Sequence, residues 1–190
     1  DIYYGECLWI IDADSEVRNN DIYFEGSIVI KSGGVLTIDS VQYFYLNNDW
    51  YGEGSITVEE GGQLVAMNSA IGDPYYLTDF LFKVYGSLDL NNVQVSGAVE
   101  LYLAPTSDAV IRSSQVVMSQ ANGIHIDDCS PTISGTTIGM NGKDGVFIEG
   151  ANAAPVIQGC VIMANNRGIS AFDADLGNVV GNTFAMNSVA

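Results

Sequence analysis

The chain has 190 residues, with 23 Asp and Glu against six Lys and Arg, for a net charge of −17. That balance excludes nucleic acid, whose phosphates need clustered cations, and argues equally against anionic lipid surfaces and polyanionic glycans. With ten Tyr, seven Phe and 47% hydrophobic residues it is no disordered acidic tail, and no apolar run approaches the ~18 residues of a membrane span.

The chain opens on Asp1 without Met or a signal-like apolar stretch, as expected of a processed chain or an excised fragment, and an extracellular or cell-surface location is expected. Residues 1–24 look irregular beside the rest of the chain. CLWII offers a first strand and Val17 to Phe24 a turn, so the segment is expected to cap the fold. Trp9 and the tyrosines would cover the exposed edge, and Asp12, Asp14 and Glu16 would discourage edge pairing.

Two related stretches come next, EGSIVIKSGGVLTIDSV (Glu25–Val41) and EGSITVEEGGQLVAMNSA (Glu53–Ala70), with a degenerate third copy in YGSLDLNNVQVSG (Tyr85–Gly97). Gly33-Gly34 and Gly61-Gly62 place a tight corner between two short alternating runs, where positive φ is free of a Cβ clash. Between these copies lie two aromatic stretches expected to leave the repeat as loops. Residues 43–52 carry Tyr43, Phe44, Tyr45, Trp50 and Tyr51, and residues 72–78 carry Tyr75 and Tyr76. The pair is expected to form either a lateral platform for a glycan or protein partner, or a local lid over the fold.

Self-similarity is clearest at the end of the sequence. GIHIDDCSPTISGTTIGMNGKD (Gly123–Asp144), GVFIEGANAAPVIQGCVIMANNR (Gly145–Arg167) and GISAFDADLGNVVGNTFAMNSVA (Gly168–Ala190) each open on Gly and an apolar alternation, turn, run through a second apolar pair and close on an Asn. A period of 20–50 residues marks a solenoid. The runs alternate with period two and are rich in Ile, Val, Thr and Phe, which is a strand pattern, and no window offers helical spacing. Taking Leu36, Leu64, Leu88, Ile111, Ile133, Ile157 and Val179 as equivalent gives spacings of 28, 24, 23, 22, 24 and 22 residues. The expected fold is all-β: a single-stranded right-handed parallel β-helix of about seven coils, 22–28 residues each, over residues 25–190.

PTISGTTI, PVIQGCVI and the NG and NRG turns resemble the parallel β-helix repeats of the NosD and carbohydrate-binding/sugar-hydrolase (CASH) group, strongly over the last third and loosely over the middle. The G-S-I…G-G-x-L layout is similar to the first coils of extracellular β-helix proteins. The resemblance implies the β-helix fold. It leaves activity open, since the group holds copper-maturation proteins, polysaccharide lyases, epimerases and archaeal surface proteins.

Carboxylates are the first place to look for chemistry on such a fold. Asp12/Asp14, Glu59/Glu60, His125 with Asp127 and Asp128, and Asp173/Asp175 are the clusters. The alternation in GIHID turns Ile124 and Ile126 inward, so His125 and Asp127 share the outward face as a candidate acid/base pair. Stacked equivalents Phe147 and Ser170 or Ala171 bring it no further carboxylate, so a solvent-facing histidine beside turn acids is the preferred interpretation. No catalytic set, cofactor or metal site is expected: Cys-x-x-Cys and His/Cys clusters are absent, which also weakens a copper-handling role. Cys7, Cys129 and Cys160 are expected as free thiols, and there is no Asn-x-Ser/Thr sequon.

Asn141, Asn165 and Asn187 recur at equivalent positions and are expected to stack as an amide ladder. The terminal coils are expected to present apolar edges, with Leu8, Trp9 and Ile10 at one end and Val179, Val180 and Phe184 at the other. The favoured function is structural: a non-catalytic extracellular protein whose copies stack head to tail and touch laterally to form a filament, sheath or surface layer, most like archaeal and other extracellular β-helix proteins of that kind. The alternative is a carbohydrate-binding or polysaccharide-cleaving β-helix, with a cell-surface glycan as partner.

Overall fold

Short alternating runs of Ile, Val, Leu and Phe give strands with one apolar row, and turn residues between them wind those strands into a solenoid. The computed structural model describes residues 7–47, 54–72 and 79–189. Among them are 21 strands, every pairing is parallel, and no helix occurs. Ile22–Ile30, Gln63–Gly72 and Ser87–Ser96 each bend round a corner and serve two faces.

The result is eight coils with three faces. Face one stacks Cys7–Ile11, residues 26–30, Ser55–Val58, Phe80–Val84, Ala98–Leu103, Ile124–Asp127, Asp144–Glu149 and Arg167–Phe172. Face two begins with Asp14–Arg18 and ends with Asn178–Val180; face three begins with residues 22–25 and ends with Thr183–Ala185. The extra coil lies in residues 7–25. The segment read as an irregular cap holds two strands and part of a third, in register with the coil above. Its charges misled because they fall outward on an otherwise ordinary coil.

Inward residues stack into continuous apolar columns. One runs Trp9, Ile28, Ile56, Phe82, Leu101, Ile124, Val146, Ile169 through face one. The face-two alignment taken from sequence crosses two columns. Leu36, Leu64 and Leu88 stack and continue to Ala109, whereas Ile111 stacks on Leu90, two residues further on. Early face-two strands such as Val35–Asp39 have two inward positions. Later ones such as Thr132–Ser134 have one, so the leucine column stops.

Backbone conformation at the corners repeats as regularly as the strands. Between faces two and three, Asn19, Ser40, Asn68, Asn92, Ser113, Gly135, Gly159 and Gly181 all have φ between 49° and 67°. In the double-glycine corners the two glycines do different work. Gly33 has φ +82° with open space around it, whereas a Cβ on Gly34 would lie 2.2 Å from the Ile11 carbonyl oxygen.

Residues 43–47 differ from expectation. Phe44–Asn47 is a face-three strand with Phe44 and Leu46 fully buried, so Tyr43 and Tyr45 belong to the coil rather than to a loop. The stretches 48–53 and 73–78, with Trp50, Tyr51, Tyr75 and Tyr76, lie outside the described residues.

Candidate functional site

On the outer side of face one, parallel register sets Lys83, Tyr102, His125, Phe147 and Ser170 one above another. The inward neighbours Ile124 and Ile126 are fully buried and fix His125 outward. Three of these outward side chains, with Tyr85 beside them, form a run of ring contacts: Tyr85 to Tyr102 at 6.3 Å, Tyr102 to His125 at 5.1 Å and His125 to Phe147 at 5.1 Å. Packed between rings, the His125 side chain keeps only 15% of its exposure. The expectation of a solvent-facing histidine is therefore corrected.

Two carboxylates hold it from opposite sides. Glu100 Oε1 lies 3.1 Å from Nδ1 and Glu149 Oε1 lies 2.8 Å from Nε2. Ionised carboxylates only accept hydrogen bonds, so both contacts are satisfied together when both ring nitrogens carry protons. Burial opposes that imidazolium, but the hydrogen bonds and charges of Glu100 and Glu149 outweigh it and hold the His125 pKa above the ordinary value. Burial likewise works to raise Glu100, and is outweighed by His125 and by Asn122, whose Nδ2 donates to Oε2 at 2.8 Å; the net direction is down.

Asp127 is engaged elsewhere. It accepts the Tyr102 hydroxyl at 2.5 Å, and burial together with that bond pushes the Tyr102 pKa well up. The pair His125/Asp127 therefore shares a face without sharing a proton. Glu149, which stacks directly on Asp127, takes the place expected of Asp127. That rung was legible from aligning GIHID with GVFIE. Glu100 was not: between Ala98 and Leu101 the strand advances three residues while its neighbour advances two, from Phe80 to Phe82. This bulge re-aims the Val99–Glu100 segment, and no sequence period announces it.

A second polar group adjoins the first through Asn122. Its Oδ1 accepts the Asp144 N–H at 3.3 Å, and the fully buried Asp144 carboxylate takes a bidentate pair from Arg167, Nε to Oδ1 at 2.6 Å and Nη2 to Oδ2 at 2.7 Å, with the Ser170 hydroxyl also donating. Below His125 the face opens into a depression of about 300 Å³. Tyr85 and Tyr102 flank it, with Leu81, Val99, Lys83, Glu100 and His125 among its walls.

The other expected residues lie elsewhere on the coils. Asn165 Oδ1 accepts both the backbone N–H (3.1 Å) and Nδ2 (2.9 Å) of Asn141, and Asn187 Oδ1 does the same for Asn165 at 3.0 and 3.1 Å. The ladder also reaches Ser119, whose N–H bonds Asn141 Oδ1 at 2.9 Å. Trp9, Val179 and Phe184 lie in the inward columns of the terminal coils, Trp9 packing on Phe24 at 6.2 Å. Leu8, Ile10 and Val180 pair with outward Ser27, Val29 and Gln158, so their side chains point to the flanks and not along the axis. Tyr45 stacks on Tyr23, 5.7 Å between rings. All three cysteines are free; Cys129 and Cys160 are buried, and burial raises both thiol pKa values.

Stacked parallel coils around one apolar core define the class as a parallel β-helix. A family model described as "Right handed beta helix region" matches residues 85–190, more than half of the chain, and the protein belongs to that family. No curated protein and no solved structure matches the chain.

Proposed function

We propose that this β-helix works outside the cell as a rigid scaffold that binds a small saccharide unit on face one, without cleaving it. The observation that carries the proposal is the depression flanked by Tyr85 and Tyr102. Tyrosine rings offer a flat apolar surface to the C–H face of a pyranose, and Lys83 and Glu100 supply a donor and an acceptor for its hydroxyls. A net charge of −17 makes a neutral sugar a better partner than a polyanion. Binding is favoured over hydrolysis by the state of the carboxylates. Glycoside cleavage needs one acid with a raised pKa, whereas Glu100 is lowered and both Glu100 and Glu149 are committed to His125.

His125 is the only histidine, so its ring protons give an isolated NMR reporter at the edge of the site. Titration with the methyl glycosides of glucose, galactose, mannose and N-acetylglucosamine is expected to shift those signals for at least one sugar. Tyr102→Ala should weaken that binding by about tenfold. Signals unmoved by every glycoside would overturn the proposal.

A second function, head-to-tail self-assembly into a filament, sheath or surface layer, is supported by a separate observation. Among the described residues, inward side chains that are fully buried in the middle coils are partly uncovered in the terminal ones: Trp9 in the first, and Val179 and Phe184 in the last. Its occupant would be a second copy, with the Arg167–Phe172 edge pairing against the Cys7–Ile11 edge of the next subunit.

A further inference from the structure

Face three opens on an aromatic pair that the face-one site does not use. Parallel register sets Tyr23 of the first coil directly below Tyr45 of the second, with Ile22 on Phe44 and Phe24 on Leu46 at either side. Phe44 and Leu46 are fully buried, so the alternation turns both tyrosines outward. Their ring centroids lie 5.7 Å apart with the planes inclined at 54°, within the range of aromatic contact. Strand pairing at ~4.8 Å maintains that approach, as a loop would not.

Packing alone accounts poorly for this pair. Tyr23 keeps 74% of its exposure, more than any other aromatic side chain among the described residues, so its ring hides little apolar surface. Two phenols that touch and stand open to solvent can instead couple. The second tyrosine contact among the described residues, Tyr85 with Tyr102 at 6.3 Å, is less suited to it. Tyr102 is pinned by its hydroxyl to Asp127 at 2.5 Å and by the His125 ring at 5.1 Å, so it is not free to swing a ring carbon onto Tyr85.

We propose that Tyr23 and Tyr45 are a modification site, where one-electron oxidation joins the two rings by a carbon–carbon bond and staples the first coil to the second. The oxidant class is hydrogen peroxide acting through a haem peroxidase. Each phenol gives up one electron and one proton, leaving a tyrosyl radical shared with the ring carbons beside the hydroxyl. One such Cε of Tyr23 bonds to one of Tyr45; each carbon then releases its hydrogen as a proton while its phenol oxygen regains one. The chain loses two hydrogen atoms in all, and one peroxide takes up those two electrons and two protons to become two waters. The bond closes one coil into a covalent loop, which restricts the unfolded chain and holds the first coil against fraying. That coil pairs with a described coil on one side only, and none of the three cysteines forms a disulfide. Neither tyrosine lines the face-one depression, so the link is independent of what binds there.

The experiment treats the full chain, dilute and in a Cys7→Ser background that removes its exposed thiol, with hydrogen peroxide and a haem peroxidase. Mass spectrometry of the monomer, sequencing of linked peptides and amide hydrogen exchange give the readout. The expected product is a monomer lighter by two hydrogen atoms, with dityrosine fluorescence and the link between Tyr23 and Tyr45. Tyr23→Phe should abolish that link, whereas Tyr43→Phe, just before the Phe44–Asn47 strand, should leave it unchanged. Phenylalanine keeps the ring, so loss in Tyr23→Phe reports the phenol chemistry and not lost folding. In the linked chain, exchange in Cys7–Ile11 and Asp14–Arg18 should slow by about tenfold or more. A monomer that stays unlinked, links only between copies, a link mapped to Tyr85–Tyr102 or any other pair, or undiminished yield in Tyr23→Phe would each overturn the site. Exchange in the first coil that is no slower after linking would overturn its role as a staple.

Discussion

At the residue scale, the protonation of His125 follows from what surrounds it. Glu100 and Glu149 touch its two nitrogens, Tyr102 and Phe147 cover its faces, Lys83 lies two rungs below, and Asp127 is taken by Tyr102. A folded-state pKa raised above the ordinary 6.5 means that the folded form binds the proton more tightly than the unfolded chain does. The clamp's stability is therefore fully present below pH 6.5 and is lost as pH rises through the folded value. At the acid side the sign reverses. Glu100, lowered from 4.5, contributes stability present above that value and lost as pH falls through its folded pKa. We expect the His125 ring signal to titrate above 6.5, and the melting temperature of the parent to fall relative to His125→Gln as pH rises from neutral into the alkaline range. A midpoint at or below 6.5, or parallel melting curves across that range, would contradict the clamp. The histidine and one of its partners could be found by aligning repeats; the bulge that brings Glu100 could not, because an extra residue in one strand leaves no periodic trace.

At the scale of the elements, corners are where the coil is fixed, and their chemistry was only half visible in the sequence. Gly33 and Gly61 announce themselves. Met118, Met140, Ala164 and Met186 do not, although each takes a positive φ of 54° to 58° just before Ser119 or a ladder asparagine. Composition gives no hint that methionine will adopt that conformation; it is imposed by the ladder residue next in the chain and by the strands on either side. The asparagines themselves were legible, since stacking demands recurrence and recurrence is what a repeat displays. Their energetic roles differ along the ladder. Asn165 is buried, accepts both donors of Asn141 and donates to the Ile138 carbonyl at 3.1 Å. Asn165→Ala strips partners from buried groups on both sides, and urea unfolding should show a loss of about 2–4 kcal/mol. Asn187 is half-buried in the last coil, where water replaces what the side chain gave, so Asn187→Ala should cost about 1 kcal/mol. Equal losses at the two positions would mean that the ladder transmits along its whole length rather than rung by rung.

At the scale of the whole molecule, the one apolar core is a stack of inward rungs, and each coil is held only by the coils beside it. The number of coils was nearly right from sequence because the inward columns repeat. It fell one short because the first coil hides its regularity behind Asp14, Glu16 and Arg18, which the alternation turns outward. Nearest-neighbour packing predicts graded stability. Ile111, Ile124, Ile126, Ile133 and Ile138 are fully buried with a coil on either side, whereas Phe184 keeps 42% and Val180 52% of its exposure. Amide hydrogen exchange of the dilute chain should therefore be slowest in Ala98–Leu103, Ile124–Asp127 and Thr137–Gly139, and fastest in Cys7–Ile11, Asn178–Val180 and Thr183–Ala185. The same measurement separates a lone rod from a stack. Each copy repels its neighbour through 17 net negative charges, so added salt should bring copies together if their ends are complementary. In a head-to-tail stack, protection of Cys7–Ile11 and Arg167–Phe172 rises with both protein and salt concentration while the middle coils stay unchanged. End strands whose exchange ignores concentration at high salt would leave the scaffold as a monomer, and the self-assembly function would be given up.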